Sequence, residues 1–217
     1  MAHDVELVVF DLGRVLVRIC DNWRHACEVA GIQLSPEVAA KIKGPAAGEA
    51  DELIARYDTG HLDLPAFAER IAPLSGLTVR DVIRLQECYL RGPYPGIDQL
   101  LDDLSSAGVR TACLSNTSDL HWQMMLAPSG PNALPLNRLH HRFASHRVRL
   151  RKPDPAIYEH VESETGVRPQ RIVFFDDVEE NVDAARRRGW RACRIDPTPD
   201  DPIPQVRRFL ATLGVPV

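Results

Sequence analysis

Three short apolar runs, each followed at once by polar residues, constrain the fold of this chain more than any other feature. They are residues 5–10 before Asp11, residues 109–114 before Ser115, and residues 171–175 before Asp176. Short apolar runs bounded by turn-forming residues are typical of strands that are covered on both faces, as in a parallel sheet. Because ligands bind at the carboxyl ends of such strands, we expect these polar side chains to meet in one crevice.

The first and second runs are separated by a long segment in which the apolar residues have helical spacing only. Helices are predicted at 21–31, 36–43, 48–58, 63–73 and 78–91, and no strand is predicted among them. After the turn-rich stretch 92–96, helices and strands alternate. This order predicts an α/β fold in which a doubly wound, Rossmann-like parallel sheet, formed by 1–17 and 92–217, carries a helical insert at 18–91.

The composition argues against several classes of partner. The net charge of −4 provides no electrostatic footprint for nucleic acid. No apolar stretch approaches the roughly 18 residues that a membrane-spanning helix needs. The five cysteines include no CxxC pair, which favours free thiols in a reducing compartment. We therefore expect a cytoplasmic protein that binds neither nucleic acid nor membrane, either as a monomer or as a homodimer.

The carboxylates after the first and third runs are candidates for a metal site. A buried carboxylate such as Asp11 is costly unless it is paired or bound to a metal. Asp176 and Asp177 would add two more negative charges beside it. Clustered carboxylates repel one another unless a hard cation lies among them, and oxygen ligands suit Mg²⁺. Asp11 could also act as a nucleophile on phosphorus, and a purely structural role is the alternative.

Neutral and cationic groups elsewhere in the predicted crevice fit a phosphate. Ser115 and Asn116 could donate hydrogen bonds to phosphate oxygens, although Ser-Asn-Thr after a strand also fits a plain helix N-cap. Lys152 precedes Pro153, which restricts the backbone where the next segment begins. Its position after the other candidates favours a phosphate-binding lysine over a solvated one.

Four stretches resemble the motifs of a known enzyme superfamily, and they occur in the same order. VVFDLGRVLV, ACLSNT, RKPDPAIY and IVFFDDVEENVDAA resemble the four motifs of the haloacid dehalogenase-like hydrolases. The helical insert resembles the common cap of that superfamily. Within the insert, RYDTGHLDLPAFAERI is similar to the cap helices of small sugar-phosphate phosphatases with a DLGxV first motif.

The resemblance implies a role for each candidate residue. Asp11 would be the nucleophile that forms an aspartyl-phosphate. Ser115 and Lys152 would bind the phosphoryl oxygens, with Asn116 close by. The ligands of Mg²⁺ would be Asp11, Asp176, Asp177 and the backbone carbonyl of Gly13. Arg14 lies near the predicted crevice, where it could attract an anionic substrate or simply be a surface arginine.

One position departs from the superfamily pattern. The usual first motif has a second aspartate that protonates the leaving oxygen, and this chain has Gly13 there. A positioned acid–base group contributes about 10²–10⁴-fold to the rate, so its loss matters. Asp21 or His25 could substitute, the substrate could have a leaving group that needs little protonation, or the protein could be a weak catalyst that mainly binds phosphorylated ligands.

A true haloacid dehalogenase also lacks that second aspartate, since halide leaves without a proton. The Asp176-Asp177 pair argues against this alternative, because three carboxylates would repel a carboxylate substrate. The sequence therefore predicts a Mg²⁺-dependent phosphomonoester hydrolase for a small phosphorylated metabolite, with sugar phosphates as one candidate. The first alternative is a catalytically weak protein on the same scaffold that binds phosphorylated ligands or has a regulatory role. The second, less favoured alternative is a 2-haloacid dehalogenase.

Overall fold

The computed structural model describes residues 4–41, 48–197 and 201–217. The strands in these residues are β1 (Leu7–Phe10), β2 (Val17–Ile19), β3 (Leu90–Pro93), β4 (Arg110–Ser115), β5 (His141–Ala144), β6 (Ile172–Asp176) and β7 (Arg191–Arg194). The helices are α1 (Trp23–Ala30), α2 (Pro36–Lys41), α3 (Glu49–Asp58), α4 (Leu64–Ser75), α5 (Val79–Glu87), α6 (Ile97–Ser106), α7 (Asp119–Leu126), α8 (Ser145–Val148), α9 (Pro155–Thr165), α10 (Glu179–Arg187) and α11 (Ile203–Thr212). None of these helices is both long and apolar enough to cross a membrane.

A parallel five-stranded sheet, in the order β5-β4-β1-β6-β7, forms the centre of the fold. Successive residues of β1 point to opposite faces, so Val8 packs in one apolar cluster and Val9 in another. Both faces are covered, which explains why β1 and β6 are apolar throughout rather than alternating. The predicted α/β class is confirmed, and the three predicted runs correspond to β1, β4 and β6.

The structure contains three strands that the sequence did not predict. β2 and β3 form an antiparallel ribbon, in which Val17 pairs with Pro93 and Ile19 with Leu90. The predictions of a helix over 78–91, and of no strand in this segment, are therefore wrong at the end of the segment, because α5 stops at Glu87. β5 is an edge strand whose sequence, HRFA, has little apolar character. None of the three is a continuous apolar run of the kind that revealed β1, β4 and β6.

The helices between β2 and β3 bury their own apolar cluster, which includes Trp23, Phe67 and Leu85. Their starts follow local rules, since the side chain of Asp63 caps α4 and Thr78 forms a capping box at α5. The predicted helix over 36–43 corresponds to α2, and its last two residues lie outside the described ones. The division into 1–17 with 92–217 and the insert 18–91 stays a prediction.

Candidate active site

The carboxyl ends of three neighbouring strands bring the candidate residues together. β1 lies between β4 and β6, and Phe10 at its end is level with Cys113 and Phe175. Asp11 follows Phe10 directly, and its backbone N–H donates to the carbonyl of Phe175 at 2.8 Å. Asp176 follows Phe175 directly, so Asp11 and Asp176 lie at the same level at the ends of the adjacent strands β1 and β6.

The predicted carboxylates converge. One oxygen from each of Asp11, Asp176 and Asp177 lies within 4.8 Å of the other two. Asp11 and Asp176 are buried, and Asp177 is half-buried. Among the described residues, no backbone N–H donates to the carbonyl oxygen of Gly13, which leaves that oxygen available as a ligand. A compact set of hard oxygen donors fits Mg²⁺, which also takes water and substrate phosphate as ligands.

Lys152 bridges two of these carboxylates from a fully buried position. Its Nζ lies 2.9 Å from Asp11 Oδ1 and 2.6 Å from Asp176 Oδ2, and its side chain is 1% exposed. The ammonium group therefore lies between Asp11 and Asp176 and compensates part of their charge. A buried charge needs such partners, because removal from water is costly.

The charged groups of this cluster shift one another's pKa values. Burial raises the pKa of Asp11 to about 7; Lys152 opposes the rise, and the charges of Asp176 and Asp177 favour it. Burial and the charge of Asp176 also raise the pKa of Asp177. Burial alone would lower the pKa of Lys152, but the carboxylates of Asp11 and Asp176 outweigh it, so the lysine stays charged at neutral pH. The carboxylates remain incompletely compensated, which favours binding of a divalent cation.

Asn116 holds the backbone of Lys152. Its Nδ2 donates to the carbonyl of Lys152 at 2.9 Å, and its Oδ1 accepts from the N–H of Lys152 at 2.9 Å. This reciprocal pair fixes where the lysine leaves the chain and indicates a positioning role for Asn116. Ser115 is buried at the end of β4 and lines a small cavity of about 80 Å³ together with Gly13 and Asn116. Contact of Ser115 or Asn116 with phosphate stays a prediction.

Asn181 fixes the orientation of Asp176, a role that the sequence alone did not assign. Its Nδ2 donates to both carboxylate oxygens of Asp176, at 3.0 and 3.1 Å. The N–H of Val178 donates to the same carboxylate at 2.9 Å, and Tyr158 donates its hydroxyl to the carbonyl of Asn181. Ligands held in this way keep their geometry when a metal binds.

Arg14 and Asp21 lie at the edge of the cluster. Arg14 has a left-handed backbone, with φ of 57°, and its Nη1 donates to Asp177 Oδ2 at 3.4 Å. Its Nη2 donates to the carbonyl of Asp21 at 3.0 Å. Asp21 is largely exposed and pairs with His25, whose Nδ1 lies 3.1 Å from Asp21 Oδ2. Arg14 thus links the carboxylate cluster to the start of the helical insert, and its contact with substrate stays a prediction.

A second cavity, of about 400 Å³, lies between α1, α3, α5 and the segment after β4. Asn116 and His121 line both cavities, so the larger one opens beside the phosphate-binding candidates. Asp58, Gln86 and His121 line it, and sequence reasoning missed all three. The sequence does contain a signal for Asp58, because an acidic residue at the last position of a helix interacts unfavourably with the helix dipole.

Comparison with known proteins places the chain in a family. The family model for haloacid dehalogenase-like hydrolases matches residues 5–189. Phosphatase MT3486 of Mycobacterium tuberculosis is 29% identical over 206 residues, which cover 88% of each protein. Enolase-phosphatase E1 of Yersinia pestis is 28% identical over 119 residues, 54% of this chain. That match spans only about half of the relative, 51% of its length.

Two further similarities bear on the chemistry. Haloacetate dehalogenase H-2 of Moraxella sp. is 29% identical over 144 residues, 61% of this chain and 62% of that protein. A HAD family enzyme of Bacteroides thetaiotaomicron, solved in complex with magnesium and inorganic phosphate, shares the fold. Its TM-score is 0.69 at 20% identity, and the match covers 89% of this chain and 96% of that one. Because the family model matches most of the chain, including the carboxylate cluster and Lys152, this chain belongs to the haloacid dehalogenase-like hydrolase family.

Proposed function

We propose that this hydrolase cleaves phosphomonoesters of small metabolites and that it requires Mg²⁺. The observation that carries this proposal is the cluster of three converging carboxylates, two of which are bridged by a buried lysine. Such a cluster suits a dianionic phosphoryl group, which needs cations beside the attacking oxygen. The phosphatase-named relatives support the same conclusion.

In the proposed reaction, a carboxylate oxygen of Asp11 attacks phosphorus, and the bond from phosphorus to the leaving oxygen breaks. The leaving alkoxide takes up a proton, and an aspartyl-phosphate remains on Asp11. Water then attacks that phosphorus, which releases inorganic phosphate and restores the carboxylate. Lys152 offsets charge on the phosphoryl oxygens, while Asn116 holds the lysine in place.

Asp11, Asp176, Asp177 and the Gly13 carbonyl would hold Mg²⁺, which supplies electrostatic stabilisation of the phosphoryl oxygens when bound. Asn181 keeps the carboxylate of Asp176 oriented for that role. The solved structure of the same fold was determined with magnesium and inorganic phosphate, which supports binding of both by this fold.

A 2-haloacid dehalogenase is the less favoured alternative, despite the similar haloacetate dehalogenase. Its substrate carries a carboxylate and has no phosphoryl charge to neutralise. Asp176 and Asp177 would repel such a substrate, and their clustering with Asp11 has no use in that reaction.

Removal of divalent metal should abolish activity. We expect phosphate release from p-nitrophenyl phosphate with millimolar Mg²⁺ and none in excess chelator, because the carboxylates otherwise repel the substrate. Asp177→Asn should raise the Mg²⁺ concentration for half-maximal activity by about tenfold or more. Asp183→Asn, on the exposed side of α10, serves as the matched control and should leave the Mg²⁺ concentration for half-maximal activity unchanged. Equal rates in Mg²⁺ and in chelator would contradict the metal requirement.

Gly13→Asp should distinguish an impaired catalyst from one with its own proton donor. Gly13 does not have a left-handed backbone, and an added Cβ would lie 3.4 Å from Ile19 Cδ1, an ordinary contact. If no other acid serves the site, the variant should hydrolyse alkyl phosphates about 10²–10⁴-fold faster. The gain should be smaller for p-nitrophenyl phosphate, whose leaving group needs little protonation.

Gly13→Asn is the matched control, since it has the same size and no acid. A gain shared by both variants would point to packing rather than proton transfer. No gain, or a loss, with Gly13→Asp would mean that the native site has its own donor, for which Asp21 is the candidate at the cavity mouth.

A further inference from the structure

The larger cavity is placed to receive the part of the substrate that leaves with the oxygen. It shares Asn116 and His121 with the small cavity beside Ser115, so a phosphate bound there would have its ester group directed toward the larger one. Its volume of about 400 Å³ suits a small metabolite. The inference that follows rests on the proposed function.

The described side chains that line the cavity include acidic groups and no basic ones. Asp21 and Asp58 line it, and none of the described lining residues is a lysine or an arginine. His121 is neutral, because burial lowers its pKa. Its Nε2 lies 2.8 Å from the carbonyl of Gln86 and therefore carries the proton, which leaves Nδ1 as an acceptor. A leaving group with a second carboxylate or phosphate would have no cationic partner in this wall.

Asp58 is a half-buried carboxylate in the wall with a single charged partner among the described residues. It is the last residue of α3, where the helix dipole disfavours a negative charge. Within the described parts of the chain, its carboxylate makes an ion pair with Arg151 at 3.6 Å and no hydrogen bond. The Nε of Arg151 is buried and also lacks a hydrogen-bond partner there. The carboxylate of Asp58, which lines the cavity, thus has unused acceptor capacity, as expected where a ligand completes the network.

The rest of the wall suits a hydroxylated molecule. Gln86 is buried, and its side-chain amide has no hydrogen-bond partner among the described residues. Tyr57 and Phe67 stack with ring centroids 4.4 Å apart and form an apolar side of the cavity. A carboxylate acceptor, an amide and an aromatic surface together can bind hydroxyl groups and the C–H faces between them.

We propose that Asp58 is a specificity-determining residue that accepts hydrogen bonds from hydroxyl groups of the leaving alcohol and disfavours leaving groups with a second negative charge. Gln86 binds the same hydroxyl groups. The favoured substrates are therefore monophosphate esters of uncharged polyhydroxylated alcohols.

A purely structural ion pair is the competing role for Asp58. The end of α3 is already tied to α8 through its backbone, since Ser145 Oγ donates to the carbonyl of Asp58 at 2.5 Å. Arg149 Nη1 likewise donates to the carbonyl of Thr59 at 2.9 Å. These bonds hold the end of α3 without using the Asp58 carboxylate, which leaves that carboxylate available to the cavity.

A matched pair of substrates tests the proposal. Glucitol 6-phosphate and 6-phosphogluconate differ only by a hydroxymethyl group in place of a carboxylate at the far end. The wild-type protein should prefer glucitol 6-phosphate in kcat/KM. Asp58→Asn should lower that preference by about tenfold or more, the usual effect of losing a hydrogen bond to a charged group. Hydrolysis of p-nitrophenyl phosphate, which has no hydroxyl groups, should change far less.

Three further measurements keep the test decisive. Asp51→Asn makes the same chemical change on the exposed side of α3 and should leave the preference unaltered. Gln86→Met should lower the preference in the same direction as Asp58→Asn. An unchanged preference in both cavity variants would overturn the role of the cavity wall. Absence of Mg²⁺-dependent hydrolysis of every phosphate by the wild-type protein would instead refute the proposed function, and the inference with it.

Stability separates binding from a structural role. Burial raises the pKa of Asp58 to about 6, and the charge of Arg151 opposes this rise. The other titratable side chains that line the same cavity are Tyr89, His121 and Asp21. The folded form thus holds the proton more tightly than the unfolded chain, so this group lowers stability as pH rises through 6. Asp58→Asn should raise the melting temperature at pH 7.5 and leave it unchanged at pH 4. A lower melting temperature at pH 7.5 would favour the structural ion pair and overturn the proposal.

Discussion

Asp11→Asn should reduce Mg²⁺-dependent hydrolysis of p-nitrophenyl phosphate by at least about 10³-fold, as expected when a covalent nucleophile is lost. An amide does not attack phosphorus under these conditions, whereas the carboxylate of Asp11 lies beside both Lys152 and the other acids. The fold should survive, because the backbone N–H of residue 11 still donates to Phe175. The measurement is the initial rate at saturating Mg²⁺, with the melting temperature taken on the same sample.

Asp51→Asn provides the control for a general effect of charge, since Asp51 lies exposed on α3. Wild-type protein quenched in acid during turnover should retain phosphate that hydroxylamine releases, as an acyl phosphate does, and Asp11→Asn should retain none. A variant that keeps activity within tenfold of the wild type would rule out a covalent role for Asp11.

Lys152→Met should destabilise the protein more than any other single change considered. It would leave Asp11 and Asp176 buried without their shared cation, and breaking a buried ion pair costs about 3–5 kcal/mol. Urea unfolding in chelator measures this loss as a lower free energy of unfolding. Methionine keeps the length and apolar stem of lysine, so the effect reports on charge.

Added Mg²⁺ should restore part of that stability, because a ligand that binds only the folded state stabilises it by mass action. The double variant Asp11→Asn/Lys152→Met should be more stable than Lys152→Met alone, since it removes one of the unpaired charges. Activity should be lost in both. A stability of Lys152→Met equal to that of the wild type in chelator would mean that the three groups do not interact in solution as they do in the structure.

Local patterns were sufficient to predict the position of Asp11, Ser115 and Asp176, because each ends a short apolar run bounded by turn-forming residues, which is typical of a buried strand. Their convergence then follows from the parallel sheet. The contact of Lys152 was not predictable from its own surroundings, since its partners are more than 20 residues away along the chain and its position depends on Asn116. The only sequence signal for the role of Lys152 was that its motif occurs in the expected order relative to the other motifs.

Other features depend on pairing between distant segments. β2 and β3 are short, and only their pairing across the whole helical insert makes them strands. The role proposed for Asp58 depends on which side chains surround the cavity, and helical periodicity alone does not reveal them. Asp58 nevertheless violates a local rule at the end of α3, and such violations are the sequence signal for a functional position.

The ribbon of β2 and β3 has a consequence for how this architecture can vary. Because Ile19 pairs with Leu90, the chain leaves the sheet and returns to it at neighbouring points. The segment between Ile19 and Leu90 therefore begins and ends at the same place. Its length and sequence can change through insertion or exchange without altering the register of β1, β4 and β6. Under the proposed function, substrate preference can therefore diverge through the insert while Asp11, Ser115 and Asp176 keep their places on the sheet.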